Sequence, residues 1–465
     1  MREGTTGSGK EERGILWLAG AGLFLSTLDT GIMNIALPTL QSAWRTSVPE
    51  VTWTVTLYAT SLVATLMLFG RWADRVGRMR IFMWGLLLFG ISSALCGAAP
   101  SLALLIAARA VQGIGAAMVQ ATAAALVTTV VALPRRSAAL GSLAVFQGLG
   151  PIAGPSVGGF IIAALGWRWL FWVNIPVVAA AWIAAFRLRR VVPRTARARS
   201  LNAAGNTLLA VTVVAALFAI GGGTATGAAR LAGILAAILG GGALWLWERR
   251  NRSPIIPPAL WQNRIFVASI IGIAAVGGAT SLGFLLPPFV LERGQHMLPW
   301  QASLVNASAP LGLIALSRPS ATWAKHVGAH HGALRIATLG LAVMAIAFVG
   351  LALLPLHAAA ITMAALLFSY GMGAGLFFPG NLSTLMGVGG QELQATLGSV
   401  QRMGLNLDTA VDVAVGSRLL GLATANGAPL SMAGVRDAWV YGALTLVLAL
   451  SFALRARRLH APTPP

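Results

Sequence analysis

Asp29 and Arg109 are the first residues here able to do chemistry. Each lies inside a long apolar run, Asp29 in the run 14–38 and Arg109 in the run 101–131. A charged side chain at bilayer depth is expensive and is a functional candidate by default. Asp29 stands about nine residues before the outer end of its run, and Arg109 about eight after the outer start of its own. At roughly 1.5 Å per residue, both sit about 12–13 Å below that face. We expect the two to face each other. A proton on Asp29 would weaken the pair, which would make the site a proton relay. The alternative is a permanently paired, inert ion pair whose loss costs only stability. Asp408 and Asp412 form a second candidate. Their four-residue spacing puts both carboxylates on one helical face. Carboxylates that close can share a proton. Arg402 and Arg418 flank them, so the acids either bind a proton or a cation, or neutralise these arginines.

Something apolar must carry these residues. The chain has 465 residues, 57% of them hydrophobic and 10% charged, and a mean hydropathy of +0.78. Repeated runs of about 20 apolar residues identify an all-α polytopic membrane protein. Fourteen spans are expected, near 14–38, 51–71, 81–99, 101–131, 138–165, 167–187, 203–222, 229–247, 265–291, 300–317, 333–355, 357–385, 395–422 and 435–454. Spans 7 and 8 are interrupted by Gly221-Gly222-Gly223 and Gly240-Gly241-Gly242. A twelve-span reading turns one of them into a re-entrant or linking segment. The domain plan is a cytoplasmic N-terminus (1–13), a six-helix bundle (14–187), a basic linker with two extra spans (188–264), a second six-helix bundle (265–454) and a cytoplasmic tail (455–465).

The formal charge of +21 does not imply nucleic acid, because the basic residues sit in short loops between spans. One set of alternate loops holds Arg71, Arg75, Arg78, Arg80, Arg135 and Arg136, then Arg187, Arg189, Arg190, Arg194, Arg197 and Arg199. The opposite loops hold Arg45, Arg168, Arg230, Arg293 and Arg436. This asymmetry places both termini in the cytoplasm of a cell (inner) membrane protein. The single cysteine, Cys96, excludes an intramolecular disulfide. No metal cluster is legible, and His330-His331 reads as a solvated loop pair. No phosphate-cradling G-x-x-x-x-G-K-[ST] occurs, so no cofactor is expected and the energy source should be an ion gradient. A membrane-embedded enzyme would need a nucleophile–base or metal constellation at one depth, and no histidine falls mid-membrane. A non-transporting sensor would have no use for Asp29.

Two further stretches could move. Gly70-Arg71-Trp72-Ala73-Asp74-Arg75-Val76-Gly77-Arg78 follows the second span. Gly77 allows a tight turn, and Asp74 can accept hydrogen bonds from arginine or from a facing helix N-terminus. Such a contact can form in one conformation and break in another. Gly150-Pro151-Ile152-Ala153-Gly154-Pro155-Ser156-Val157-Gly158-Gly159 lies inside an apolar run. Prolines are tolerated in lipid when neighbours re-satisfy the freed carbonyls, and glycines permit close helix approach. This is either a bent structural span or a point where helices slide. A weak repeat also runs through the chain: Trp72-Ala73 with Val76-Gly77 recurs as Trp323-Ala324 with Val327-Gly328, and Gly113-Ile-Gly115 as Gly371-Met-Gly373. Two related bundles around a midplane site would give this pattern.

Gly70–Arg80 resembles the cytoplasmic-loop signature of the major facilitator superfamily, and Gly150–Gly159 its antiporter motif. Arg109–Gly115, including Gln112, is similar to its fourth-span motif. Leu28–Pro38, with Asp29 and Asn34, resembles the first span of the fourteen-span drug/proton antiporters, as does Gly166–Pro176. The resemblance implies two six-helix bundles, alternating access, and multidrug efflux: proton-coupled export of amphipathic drugs or dyes by a monomer whose partners are substrate, protons and lipids. Cavity candidates are Asn34, Tyr58, Gln112, Gln147, Tyr370 and Phe377. The same fold serving one metabolite, antibiotic or lipid is the nearest rival. The chain departs from the pattern at Asp408 and Asp412, where small residues are expected, at Lys325, which stands in the place of Asp74, and at Asn202.

Overall fold

The computed structural model describes residues 9–132, 135–192, 203–221, 227–250, 258–326, 332–355, 358–388, 394–423 and 432–458. Asn202, His330-His331, Val327-Gly328 and the linker residues Arg194, Arg197 and Arg199 lie outside these. The described residues fold into helices: α1 (Gly9–Trp44), α2 (Val48–Val76), α3 (Arg78–Gly97), α4 (Leu102–Val130), α5 (Arg136–Leu165), α6 (Trp169–Trp172), α7 (Asn174–Leu188), α8 (Ala203–Gly221), α9 (Gly227–Arg250), α10 (Pro258–Gln262), α11 (Arg264–Pro288), α12 (Pro299–Asn306), α13 (Ser308–His326), α14 (Gly332–Leu353), α15 (Ala360–Val388), α16 (Gln394–Ala423) and α17 (Met432–Arg458). After Pro287-Pro288, the chain leaves α11 through a π-helical turn, Phe289–Gly294.

Ten helices among the described residues are long and apolar enough to cross a membrane, counting α6 with α7 and α11 with its π turn. Four more expected segments are occupied by α5, α8, α13 and α16. In α16 the ionisable Arg402, Asp408, Asp412 and Arg418 lower the apolarity. The outer helices overrun the expected ends. α1 is described from Gly9, with Glu11 and Glu12 in its first turn, where acids suit the helix dipole, and with Glu12 buried and paired to Arg135 at 3.1 Å. α17 runs to Arg458, with Arg455, Arg457 and Arg458 favourably placed at its C-terminus. Residues 455–458, expected in the tail, are therefore helical.

The chain forms two compact units, Met1–Arg45 with Trp53–Ser253, and Thr46–Thr52 with Pro254–Pro465. The central helices α8 and α9 group with the first unit. They pack on each other, and α8 meets α2 where the Phe218 and Trp53 rings lie 6.3 Å apart. Leu231, Leu235, Ile238 and Leu239 of α9 are exposed, as expected of a helix facing lipid tails. In the first unit, α1 packs chiefly on α5, and α3 on α4. In the second, α15 packs on α13 and α14, and α11 on α16 and α17.

Candidate functional site

Five helices of the first unit bring polar groups to one buried point. α1 supplies Asp29, α2 Tyr58 and the Thr54 carbonyl, α3 Ser93, α4 Arg109 and Gln112, and α7 Asn174. Arg109 Nη1 forms an ion pair with Asp29 Oδ2, with the side chains 0% and 2% exposed. Arg109 also donates from Nε to the Thr54 carbonyl (3.0 Å) and from Nη1 to Gln112 Oε1 (2.7 Å). Its guanidinium lies 4.1 Å from the Tyr58 ring centroid, close enough for a cation–π contact. Gln112 Nε2 and Asn174 Nδ2 each donate to Asp29 Oδ1, both at 3.2 Å. The same two amides donate to Ser93 Oγ at 3.3 and 3.1 Å. The Tyr58 hydroxyl donates to the Ser26 carbonyl (2.8 Å).

The chemistry follows from the donor count. The Asp29 carboxylate accepts from a guanidinium and two amides, all donors. A proton on Asp29 Oδ1 would turn an acceptor into a donor facing two amides. Arg109 Nη2 is buried with no hydrogen-bond partner, so the guanidinium has a spare donor when it lets go of the acid. Asn174 and Ser93 escaped the sequence reading as site residues. Asn174 stood inside a recognisable run, and its polarity in an apolar span was the available signal. Ser93 gave none, because serine is common in packed spans.

The glycines of α5 brace the helix that carries Asp29. A Cβ at Gly150 would lie 2.6 Å from Leu28 N, one at Gly154 2.5 Å from Ile32 N, and one at Gly158 2.8 Å from the Ile35 side chain. The α5 stripe therefore sits directly on the Thr27–Ile35 stretch of α1. Gly159 is buried; the side chains of Pro151 and Pro155 lie outside the described set.

At the α2–α3 turn, Gly77 has φ +113°, a conformation that favours glycine. Asp74 pairs with Arg78 at 3.0 Å. Arg78 Nη1 also donates to the Ala125 carbonyl (3.0 Å) and to Thr129. Asp74 and Arg78 thus tie the turn to the end of α4. Arg75 is exposed, and a Cβ at Gly70 would make only an ordinary contact with Ala121 (4.0 Å). We expect Gly77→Val to destabilise the protein by about 1–3 kcal/mol through backbone strain and to slow transport without abolishing substrate binding. Thermal unfolding and transport rates of the purified variant check this. An unchanged unfolding midpoint with a normal rate would reduce the turn to a topological signal.

In the second unit, Asp408 and Asp412 face α11. A Cβ at Gly277 would lie 3.1 Å from Asp408 Oδ2, and one at Gly278 would overlap the Asp412 carboxylate. The glycine pair therefore makes room for both acids. Asp412 is 3% exposed and meets the Tyr441 hydroxyl of α17 and the Asp408 carboxylate. Its Oδ1 has no partner. Neither Arg402 nor Arg418 forms an ion pair with these acids. The neutralisation reading thus finds no contact in this structure.

The cavity candidates divide between the units. Tyr58 and Gln112 belong to the Asp29 network. Asn34 is 4% exposed with Oδ1 unpartnered, and Gln147 on α5 is half-buried. In the second unit, Tyr370 donates to Thr280 Oγ1 (2.6 Å), and the Phe377 ring packs on Gly272. Both are packing residues between α15 and α11 here.

Residues 19–410 match the Major Facilitator Superfamily. The chain is 31% identical over 369 residues to the riboflavin transporter RibZ of Clostridioides difficile, covering 78% of each chain. It is 29% identical over 452 residues to MdtD of Cronobacter sakazakii, provisionally named a multidrug resistance protein, covering 95% of this chain and 94% of that one. Among solved structures, a peptide transporter POT in complex with sulfate superposes with a TM-score of 0.70 at 18% identity, over 96% of this chain and 95% of that chain. The human organic anion transporter MFSD10 gives 0.63 at 16% identity, over 95% and 99%. At these identities the structural likenesses speak for the fold alone.

Proposed function

The chain belongs to the major facilitator superfamily, and from that premise we propose that it is a fourteen-span, proton-coupled antiporter exporting hydrophobic, cationic drugs or dyes. Membership makes it a multi-pass membrane transporter and not an enzyme. The finer reading places it as a monomer in the cytoplasmic membrane, with both termini inside, cycling by alternating access. One observation carries the coupling. Asp29 is buried and is met by a fully buried arginine and two amides that all donate to it. Binding a proton and pairing with Arg109 exclude each other, which links the protonation state to the α1–α4 contact. The test is a proteoliposome assay in which adding a cationic dye drives measurable proton movement. Dye movement with no accompanying proton flux would sink the antiport reading.

Likeness to RibZ favours a second reading, a transporter dedicated to one compound. A panel of cationic dyes and riboflavin in the same vesicles separates the two by substrate range.

Asp408 and Asp412 are proposed as a further proton or cation site. A cationic substrate and a proton would compete for the unpartnered Asp412 oxygen. Asp412→Asn is expected to weaken binding of cationic dyes roughly tenfold or more, one lost close charge contact being worth about 1.4 kcal/mol or above. Neutral compounds should lose little. Dye binding against pH in the purified variant measures this, and unchanged affinity with an unchanged pH profile would remove the pair from the mechanism.

A further inference from the structure

A cavity of about 790 Å³ opens between the α2–α3 turn and the end of α7, and none of the side chains that meet Asp29 lines it. Arg78, Arg80, Arg189 and Arg190 line it, with Trp84 and Trp182 beside them. Among the described residues, no carboxylate lines it. Arg78 is already engaged by Asp74 and the end of α4. Arg80, Arg189 and Arg190 are exposed, and Arg189 stacks 3.6 Å from the centroid of the Phe186 ring. Arg80, Arg189 and Arg190 thus line one concavity, and none of the described residues lining it is an acid. The arginine fork suits phosphate oxygens bidentately.

The walls identify the rest of the ligand. Along α3 the exposed side chains are Trp84 (47%), Leu87 (50%), Ile91 (52%) and Leu95 (49%). Their three- and four-residue spacing makes one continuous apolar stripe, leading away from the arginines toward the far end of the span. On α7, the exposed Phe186, Ile183 and Val177 run the same way. A soluble phosphate would use the arginines and leave these stripes idle. A phospholipid would use both, with tryptophans at the level of the headgroup. The arginine-rich end is also the end that loop charge assigns to the cytoplasmic leaflet, where anionic lipids attract basic clusters.

We propose that this cavity is a binding site for an anionic phospholipid, its phosphate held by Arg80, Arg189 and Arg190 and its acyl chains lying along α3 and α7. The site abuts Gly77 and Arg78, so an occupied site would brace the α2–α3 turn. The proposal does not depend on what the protein transports.

The experiment is thermal unfolding of the purified full chain in mixed micelles. The additions are phosphatidylglycerol, cardiolipin, phosphatidylcholine or inorganic phosphate. Both anionic lipids should raise the midpoint, phosphatidylcholine and phosphate should not, and the gain should shrink as salt rises. In the triple variant Arg80→Gln/Arg189→Gln/Arg190→Gln, the anionic lipid should be needed at roughly tenfold or higher concentration for the same gain. The triple lysine variant keeps the charge and should retain most of it. Equal protection by phosphatidylcholine, full protection by inorganic phosphate alone, or an undiminished gain in the glutamine variant would each overturn the proposal. Should the glutamine variant fail to fold, a salt-insensitive gain in the unaltered protein would overturn it as well.

Discussion

Asp29→Asn is expected to abolish uphill, proton-driven export while leaving substrate binding measurable. Asparagine keeps the size of the side chain and one carbonyl for Gln112 or Asn174, but it cannot gain or lose a proton. It also strips Arg109 of its counter-charge, and breaking a buried ion pair by removing one partner costs about 3–5 kcal/mol. Lost transport in the single variant could therefore reflect misfolding alone. The double variant Asp29→Asn/Arg109→Gln resolves this. It removes both charges from a site that is 0% and 2% exposed, so folding should recover toward the unaltered protein. Export against a gradient should not recover. The measurement is dye accumulation in inverted vesicles under an imposed pH gradient, beside unfolding midpoints of the same preparations. Restored proton-driven export in the double variant would make the pair a structural element and move coupling elsewhere, with Asp408 and Asp412 next in line.

Gly154→Val should produce a comparable loss by a different route. A Cβ there would sit 2.5 Å from Ile32 N and 2.7 Å from Gly31 Cα. These are backbone atoms, so no rotamer change can relieve the overlap. α5 and α1 must separate, and α1 carries Asp29 on the same stretch. Overpacking ordinarily costs about 1–3 kcal/mol; here two further methyl groups enter a backbone-to-backbone contact, and the upper end or beyond is expected. Transport should fall by roughly tenfold or more even in whatever fraction folds, since a small displacement of reacting groups can cost about a hundredfold. Val157, on the same helix but 44% exposed, supplies the control: Val157→Ala should change neither stability nor rate by much. A well-folded Gly154→Val protein with normal rates would show that α1 and α5 need not touch so closely to work.

The two variants probe features of different legibility. That the chain crosses a membrane repeatedly was determined by composition alone, because only lipid accepts so many long apolar runs. Asp29, Arg109, Asp408 and Asp412 were legible as candidates, since ionisable groups inside long apolar runs are costly. Gly77 and the Gly150–Gly159 stretch announced themselves through glycines and prolines at odds with an ordinary span. Partnership was another matter. In water, an amphipathic pattern tells which face of a helix is buried; in lipid both faces are apolar, so period does not distinguish neighbour from solvent. The sequence therefore held no sign that the α5 glycines rest on Thr27–Ile35 rather than on another helix. Nor did it show that Asn174, 145 residues from Asp29 along the chain, closes the same site, or that Gly277 and Gly278 make room for Asp408 and Asp412. Those pairings depend on which backbones approach closely enough for short side chains to meet, and only the tertiary structure decides that.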